Sequence, residues 1–164
     1  DARAFCQYMG GDLLTEAQWE YIATGTADYG ETLYPWGNDA PSCDTQIYAR
    51  EYTGDFCYPD AYGPALPGTG SGDVTPLGVR DLGGSMEEWV LDSPHRFDAR
   101  CWASIGLSDP RCWEEGAVKR PMRGGGWGTG RALLASLRPS PQEPHLVSEG
   151  LGFRCARSGA EPSP

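Results

Sequence analysis

The sequence predicts one α+β domain with little regular secondary structure. Its 164 residues include 23 Gly, 14 Pro and 6 Trp, which favours a loop-rich fold with large aromatic anchors over a helical bundle. Helix-like spacing opens the chain, and the later segments of bulky or β-branched residues are short, as strands are. A chain of this length supplies one hydrophobic core.

Two helices are expected near the start of the chain. In the first, apolar residues recur close to helical spacing, at Ala2, Phe5, Cys6 and Met9. The second begins at Thr15, because a T-x-x-Q pattern allows the Thr15 hydroxyl and Gln18 to cap each other's backbone amides. Gly25 is expected to end this helix, and Trp19 on its apolar face is expected to pack in the core.

Residues 34–78 are predicted to form a long loop region. Turn-forming residues recur throughout this stretch, and no helical or strand periodicity is sustained. Because long loops in compact domains need support, we expect Cys43, Cys57 and Trp36 to hold this one.

Strands are expected in the second half of the chain. The stretches "MEEWVLD" (86–92), "VKRPMRGGGW" (118–127) and "LGFRCARS" (151–158) have strand-like composition. For "RALLASLRP" (131–139), helix and short strand remain equally open. Residues 159–164 are expected to be a disordered tail, so the domain comprises residues 1–158.

The charge and hydropathy exclude two classes of partner. A net charge of −10 lacks the positive surface that nucleic acids or anionic membranes require. No apolar run approaches the roughly twenty residues that cross a bilayer, so no membrane-spanning segment is expected.

The six cysteines are interpreted as three disulfides. None forms a C-x-x-C pair, and His95 and His145 are too scattered to complete a metal site. Such cysteine use indicates an oxidising, extracytoplasmic compartment. Of the fifteen possible pairings, closure of short loops favours Cys43–Cys57 and Cys101–Cys112, which leaves Cys6 for Cys155.

Five phrases then occur in order: "AFCQYMGGDLLTEAQWEYIATG", "YPWGND", "GVRDLGGSMEEWVLD", "RPMRGGGW" and "LGFRCARS". Together they closely resemble the formylglycine-generating enzyme family, also called the sulfatase-modifying factor family. The resemblance covers nearly the whole chain except residues 40–75 and 93–118. It implies an elaborated C-type-lectin-like fold, a strand-rich portion upstream of Asp1, and the same Cys6–Cys155 pairing.

The resemblance also implies a test for catalysis. Active family members oxidise a sulfatase cysteine to formylglycine with molecular oxygen and copper(I), which two cysteines bind shortly after the glycine-rich phrase. The matching positions here are Thr129 and Leu134. Copper(I) requires soft thiolate ligands, so we expect no copper and no catalytic residues in this chain.

A structural calcium site is a further implication of the resemblance. The matching groups are the side chains of Asp81 and Glu88 and the backbone carbonyls of Gly84 and Met86. Hard oxygen donors of this kind suit calcium. The alternative is that Asp81 and Glu88 cap turns or face solvent. For a second family calcium site only Asp44 is a candidate, and it matches poorly.

The ligand surface of such a domain is expected near Trp127, Arg131 and Arg138, since tryptophan and arginine are common at binding hot spots. The alternative for Trp127 is packing beneath the glycine turn. Arg123 is expected to pair internally with acidic loops. The ligand itself, whether protein, peptide or glycan, is unknown from the sequence.

Three functions therefore compete. The first is a noncatalytic binding or accessory domain, of the kind attached to larger bacterial proteins. The second is a family enzyme with different oxidative chemistry, for which two histidines allow at most an accessory half. The third is a lectin-fold protein diversified for ligand display, which comparison of sister copies would reveal.

Overall fold

The computed structural model describes residues 1–25, 32–50, 57, 62–96, 98–103, 106, 108–135 and 140–159. Three α-helices lie in this part of the chain: α1 (Ala2–Tyr8), α2 (Glu16–Thr24) and α3 (Arg100–Ala103). The six strands are β1 (Asp12–Leu13), β2 (Glu87–Trp89), β3 (Arg120–Arg123), β4 (Ser140–Gln142), β5 (Leu151–Phe153) and β6 (Cys155–Ala156). Arg131–Leu133 form a 3₁₀-helix. Helices and strands are thus mixed, and none of these helices has the length and apolar character needed to cross a membrane.

The strands form two small sheets. In the larger sheet the order is β4-β3-β2-β5, with β2 antiparallel to β3 and parallel to β5. Glu88 at the centre of β2 therefore lies between Arg123 of β3 and Gly152 of β5. The smaller sheet pairs β1 with β6, near the two ends of the chain.

The predicted capping box begins α2. The Thr15 side chain accepts a hydrogen bond from the Gln18 amide at 3.1 Å, and the Gln18 side chain accepts one from the Thr15 amide at 3.0 Å. At the other end Gly25 has a positive φ of 81°, a conformation that glycine adopts readily. Trp19 is fully buried, which confirms its role in packing.

The core consists of three neighbouring clusters. The first joins α2 to the residues on either side of β2 and contains Leu14, Trp19, Ala23, Leu82 and Val90. The second contains Tyr48, Ala49 and Cys57 of the long loop region together with Leu134, which follows the 3₁₀-helix. The third contains Cys6, Leu13 and Leu91. In this way the loop region, which has neither helix nor strand among its described residues, still contributes a core of its own.

All six cysteines are paired as the loop lengths favoured: Cys6–Cys155, Cys43–Cys57 and Cys101–Cys112. The first bond joins α1 to β6 across 149 residues, and the other two close loops of 14 and 11 residues. Three disulfides in a small domain are typical of an oxidising compartment.

Helix α1 buries less of its apolar face than the sequence predicted. Cys6 is fully buried, but Phe5 and Met9 are about half exposed. The helix has only seven residues, so it contacts β1 along a narrow edge and cannot bury a wide apolar stripe. Phe5 instead lies against the edge of the Phe153 ring, with 5.8 Å between ring centres.

Candidate functional site

The glycine segment, residues 123–130, follows directly from β3. Gly124 has a φ of +76°, and a β-carbon there would stand 2.4 Å from the carbonyl oxygen of Leu82. Any other residue would therefore be excluded by both the backbone angle and the close approach. The glycines allow the chain to turn tightly against Leu82 and Gly83.

Backbone hydrogen bonds hold this segment in place. The amides of Ala49 and Arg50 donate to the carbonyls of Thr129 and Trp127, at 2.9 and 2.8 Å. The Trp127 amide donates to the carbonyl of Ser85 at 2.9 Å. The segment is therefore anchored on two sides.

Trp127 packs inside the domain. Its exposed fraction is 3%, and its indole N–H donates to the carbonyl of Glu149 at 3.1 Å. The Tyr62 ring meets it edge-on, with 4.6 Å between ring centres. The flat contact surface expected of this residue is thus covered, as the packing alternative anticipates. Arg131 lies exposed on the 3₁₀-helix, and Arg138 lies outside the described residues.

Thr129 and Leu134 lie next to each other. If Gly125 carried a β-carbon, that atom would be 3.0 Å from the Thr129 hydroxyl and 2.6 Å from a methyl of Leu134. The Thr129 hydroxyl donates to the Gly126 carbonyl at 2.8 Å, and Leu134 is fully buried beside the Cys43–Cys57 disulfide. A hydroxyl and a hydrocarbon do not fit copper(I), and all six thiols of the chain are already oxidised.

Arg123 forms the internal ion pair expected of it, but with a helix instead of loops. Its guanidinium is fully buried, donates to Glu16 at 2.6 Å and also binds Glu20, both from α2. Burial raises the pKa of Glu16, against the opposing effect of the Arg123 charge. The ion pair therefore joins α2 to the start of the glycine segment.

Glu88 is held by Arg154. The Arg154 Nε donates to both carboxylate oxygens of Glu88, at 2.8 and 2.7 Å. Trp19 adds a hydrogen bond from its indole N–H at 3.0 Å. Arg154 also donates to the backbone carbonyls of Arg80 and Asp81. A guanidinium thus lies among carboxylate and carbonyl oxygens, where the resemblance implied a calcium ion.

The other groups of the implied calcium site are also engaged. The Asp81 carboxylate accepts from the Gly68 amide at 2.6 Å, and the Gly84 carbonyl accepts from the Met86 amide at 2.8 Å. No group of three or more His, Cys, Asp or Glu suited to a metal occurs in the described part of the chain, and Asp44 is exposed. Three of the four groups, Asp81, Gly84 and Glu88, thus accept hydrogen bonds from the protein itself.

A buried carboxylate stabilises the turn before β2. Asp73 accepts hydrogen bonds from the amides of Gly83 and Gly84, at 2.9 and 3.0 Å. Burial raises the pKa of Asp73 to about 6, although these amides favour the ionised form. No feature of the sequence near Asp73 indicated this role.

The sequence also did not indicate an arginine cluster around Trp113. The guanidinium carbons of Arg120, Arg3 and Arg111 lie 4.2, 5.1 and 5.2 Å from the centre of the Trp113 ring. Cation–π contact is expected at such distances. These four residues, the Trp113 cluster, come from α1, the segment before β3 and β3 itself, so no local pattern connects them.

The whole chain is similar in sequence to known proteins. The chain is 26% identical to the bovine protein "Inactive C-alpha-formylglycine-generating enzyme 2", over 99% of this chain and 49% of that protein. It is 29% identical to the "Formylglycine-generating enzyme" of Mycobacterium tuberculosis, over 94% of this chain and 54% of that protein. The chain thus spans about half the length of these relatives.

A solved structure shares the fold. PvdO from Pseudomonas aeruginosa superimposes with a TM-score of 0.67 at 21% identity, covering 93% of this chain and 57% of that one. The model of the sulfatase-modifying factor enzyme 1-like domain matches residues 1–159. The motifs, the glycine segment and this match together show that the chain belongs to the formylglycine-generating enzyme, or FGE-sulfatase, family.

Proposed function

We propose that this chain is a noncatalytic binding or accessory domain of its family, acting outside the cytoplasm. One observation carries the proposal: Thr129 and Leu134 lie together where the resemblance implies two copper-binding thiolates, and neither can bind copper(I). A relative whose name describes it as inactive supports the same conclusion.

The surroundings of these two residues support a packing role. Leu134 belongs to a core cluster with Tyr48 and Ala49, and the Thr129 hydroxyl is engaged with the Gly126 carbonyl. The buried Leu134 and the hydrogen-bonded Thr129 thus hold the glycine segment in a fixed conformation. Such a scaffold suits recognition, because binding residues held on rigid elements lose little freedom when a ligand binds.

Incubation with a sulfatase-type cysteine peptide, copper(I) and oxygen tests the proposal. We expect no aldehyde in the peptide by mass spectrometry, with a catalytic family member as the positive control. Detection of formylglycine would overturn the proposal. The double variant T129C/L134C is a second control. It places two thiols close together in space, so it should bind copper(I) where the parent does not.

Calcium stabilisation, which the resemblance implies, requires Glu88 to leave Arg154. Since a native-state ligand raises the melting temperature, the test is thermal unfolding with a chelator and with added calcium. A melting temperature that falls with the chelator and recovers with calcium would support the ion. A melting temperature unchanged by both treatments would contradict stabilisation by calcium.

A further inference from the structure

A cavity of about 530 Å³ opens beside the Trp113 cluster, at the opposite end of β3 from the glycine segment. Its volume lies within the range of small-ligand sites. The residues that matter for recognition are Arg3, Trp113, Arg120, Leu146, Val147 and Asp1. Thr129 and Leu134, on which the proposed lack of catalysis rests, do not line this cavity.

The cavity combines an apolar floor with an exposed apolar rim. Leu13 and Leu91, both buried, contribute to the floor. On the rim, the side chains of Leu146, Val147 and Trp113 are exposed, Val147 at 93%. Exposed apolar residues around a concave site are a common feature of binding surfaces.

Arg120 lines this cavity and makes no ion pair with a carboxylate within 4.0 Å in the described part of the chain. It donates to the Ser93 hydroxyl at 2.8 Å and to the Glu114 backbone carbonyl at 3.3 Å, both uncharged acceptors. A guanidinium has five N–H donors, so three remain after these two bonds. The Glu114 carboxylate is nearby, but it binds the ring of His95 at 3.0 Å.

The neighbouring charges are more nearly balanced. Arg3 is paired with the Asp12 carboxylate through two nitrogens, each at 3.0 Å. Arg111 makes no hydrogen bond to any residue described in the structure, and its charge acts on the carboxylates of Asp12 and Asp92. The Asp1 carboxylate also lines the cavity. Of the two guanidiniums that line the cavity, Arg3 is therefore in an ion pair, whereas Arg120 makes none in the described part of the chain.

The Trp113 ring and the Ser93 hydroxyl orient the Arg120 guanidinium. Arg120 lies closest to the ring centre, at 4.2 Å, and its bond to Ser93 fixes the plane of the guanidinium. A planar guanidinium held in this way binds carboxylates with two parallel hydrogen bonds. The apolar rim then accommodates the rest of the ligand.

We infer that this cavity binds an organic monoanion: a carboxylate that pairs with Arg120 and carries an apolar or aromatic body against Trp113, Leu146 and Val147. The Asp1 carboxylate also lines the cavity, so a ligand with a single negative charge meets less repulsion there than a phosphate dianion does. The carboxylate can come from a free organic acid or from the C-terminus of a peptide. This site adds a ligand class to the proposed binding role, but it does not depend on the absence of catalysis.

The test is an NMR titration of the chain, observing the indole N–H of Trp113. Probes are 3-phenylpropionate, its neutral analogue 3-phenylpropanol and the dianion phenyl phosphate. We expect 3-phenylpropionate to bind and to shift this resonance, and the other two to bind more weakly. Equal binding of the alcohol, tighter binding of the phosphate, or no shift would overturn the inference.

Variants locate the anion. R120Q should weaken binding of 3-phenylpropionate roughly tenfold or more, because it removes a charge-assisted hydrogen bond. R96Q is the matched control, since Arg96 is exposed and pairs with Asp98 at the surface, and it should bind as the parent does. If R120Q does not fold, R120K retains the charge but loses the planar fork, and several-fold weaker binding is expected. Unchanged affinity in a folded Arg120 variant would overturn the site.

Two peptides identify the source of the carboxylate. N-acetyl-Gly-Phe is compared as free acid and as amide, so the pair differs only at the C-terminal group. Binding of the free acid alone indicates a peptide C-terminus, and binding of 3-phenylpropionate without either peptide indicates a free organic acid. Binding of the amide as strongly as the free acid would contradict the carboxylate assignment. The aldehyde assay for catalysis and this titration are independent, so each can fail alone.

Discussion

Arg123 and Arg120 occupy the two ends of the same strand, β3, yet their charges are balanced in different ways. Arg123 is fully buried and binds two carboxylates, Glu16 and Glu20. Arg120 is partly exposed, binds two neutral oxygens and lies against Trp113. The buried guanidinium needs carboxylates because it has lost its hydration, whereas the surface guanidinium retains water and an aromatic ring.

The comparison shows why a surplus of acidic residues does not neutralise every arginine. The chain has 23 acidic and 13 basic residues, yet Arg111 and Arg120 make no direct ion pair in the described part of the chain. Solvent lowers the cost of an unpaired charge at the surface. A cation that the fold does not require is available to a ligand.

The largest expected effect comes from breaking the buried pair. R123M removes the cation and leaves Glu16 buried without its partner, so the free energy of unfolding should fall by about 3–5 kcal/mol. Urea denaturation measures the change. R96M, at an exposed arginine, should alter stability little. A loss for R123M as small as that for R96M would contradict the assigned role of the buried pair.

A double variant sharpens this result. R123M/E16L replaces Arg123 and the buried Glu16 with apolar groups of similar size, while Glu20, which is partly exposed, keeps its charge in solvent. Buried ion pairs replaced in this way often recover stability. We expect the double variant to regain much of the loss measured for R123M. A double variant less stable than R123M would show that Glu16 has a stabilising contact other than Arg123.

The pH dependence should have opposite signs at two carboxylates near the start of the chain, Glu16 and Asp12. Burial raises the pKa of Glu16, so its contribution to stability is present in acid and is lost as pH rises through its folded-state pKa. At Asp12, burial raises the pKa of the carboxyl group, but the hydrogen bonds from Arg3 and from the Leu13 amide outweigh it, so the pKa is lowered overall. Its contribution is therefore present at neutral pH and is lost as pH falls.

Urea denaturation at a series of pH values checks these signs against two variants. As pH rises, the free energy of unfolding of E16Q should increase relative to that of the parent. For D12N it should decrease relative to the parent. Parallel stability curves for the two variants would mean that the carboxylates do not differ as described.

The smallest expected effect lies in the Trp113 cluster. R111Q removes one of three neighbouring guanidiniums and no hydrogen bond to a described residue, so stability should change by no more than about 0.5 kcal/mol. Because salt screens like charges, added salt should stabilise the parent more than R111Q. A large loss of stability in R111Q would show that this arginine is structural.

Much of the local structure could be predicted from short-range rules. The capping box at Thr15 and Gln18, the turn at Gly25 and the pairing of Cys43 with Cys57 depend on residues close in sequence, and the structure has all of them. The apolar spacing of α1 was a poorer guide, because only Cys6 of that pattern becomes fully buried. Periodicity predicts a helix but not how wide a surface its neighbours offer.

The candidate site was predicted less completely. The sequence alone excluded copper ligation at Thr129 and Leu134, since side-chain chemistry does not depend on the fold. It did not show that Glu88 pairs with Arg154, which is 66 residues away, nor that the Trp127 ring is covered by Tyr62. Both contacts form only when distant segments pack together.

The sequence by itself thus indicated the family, favoured the two short-loop disulfides and placed no thiol at positions 129 and 134, because motifs, loop lengths and side-chain chemistry can be read along the chain. Only the tertiary structure decided which charges meet. Arg3, Arg111, Trp113 and Arg120 converge on one ring because α1 and β3 are brought together with the segment that precedes β3. Charge balance depends on distance and burial in space, and neither is written in the order of residues.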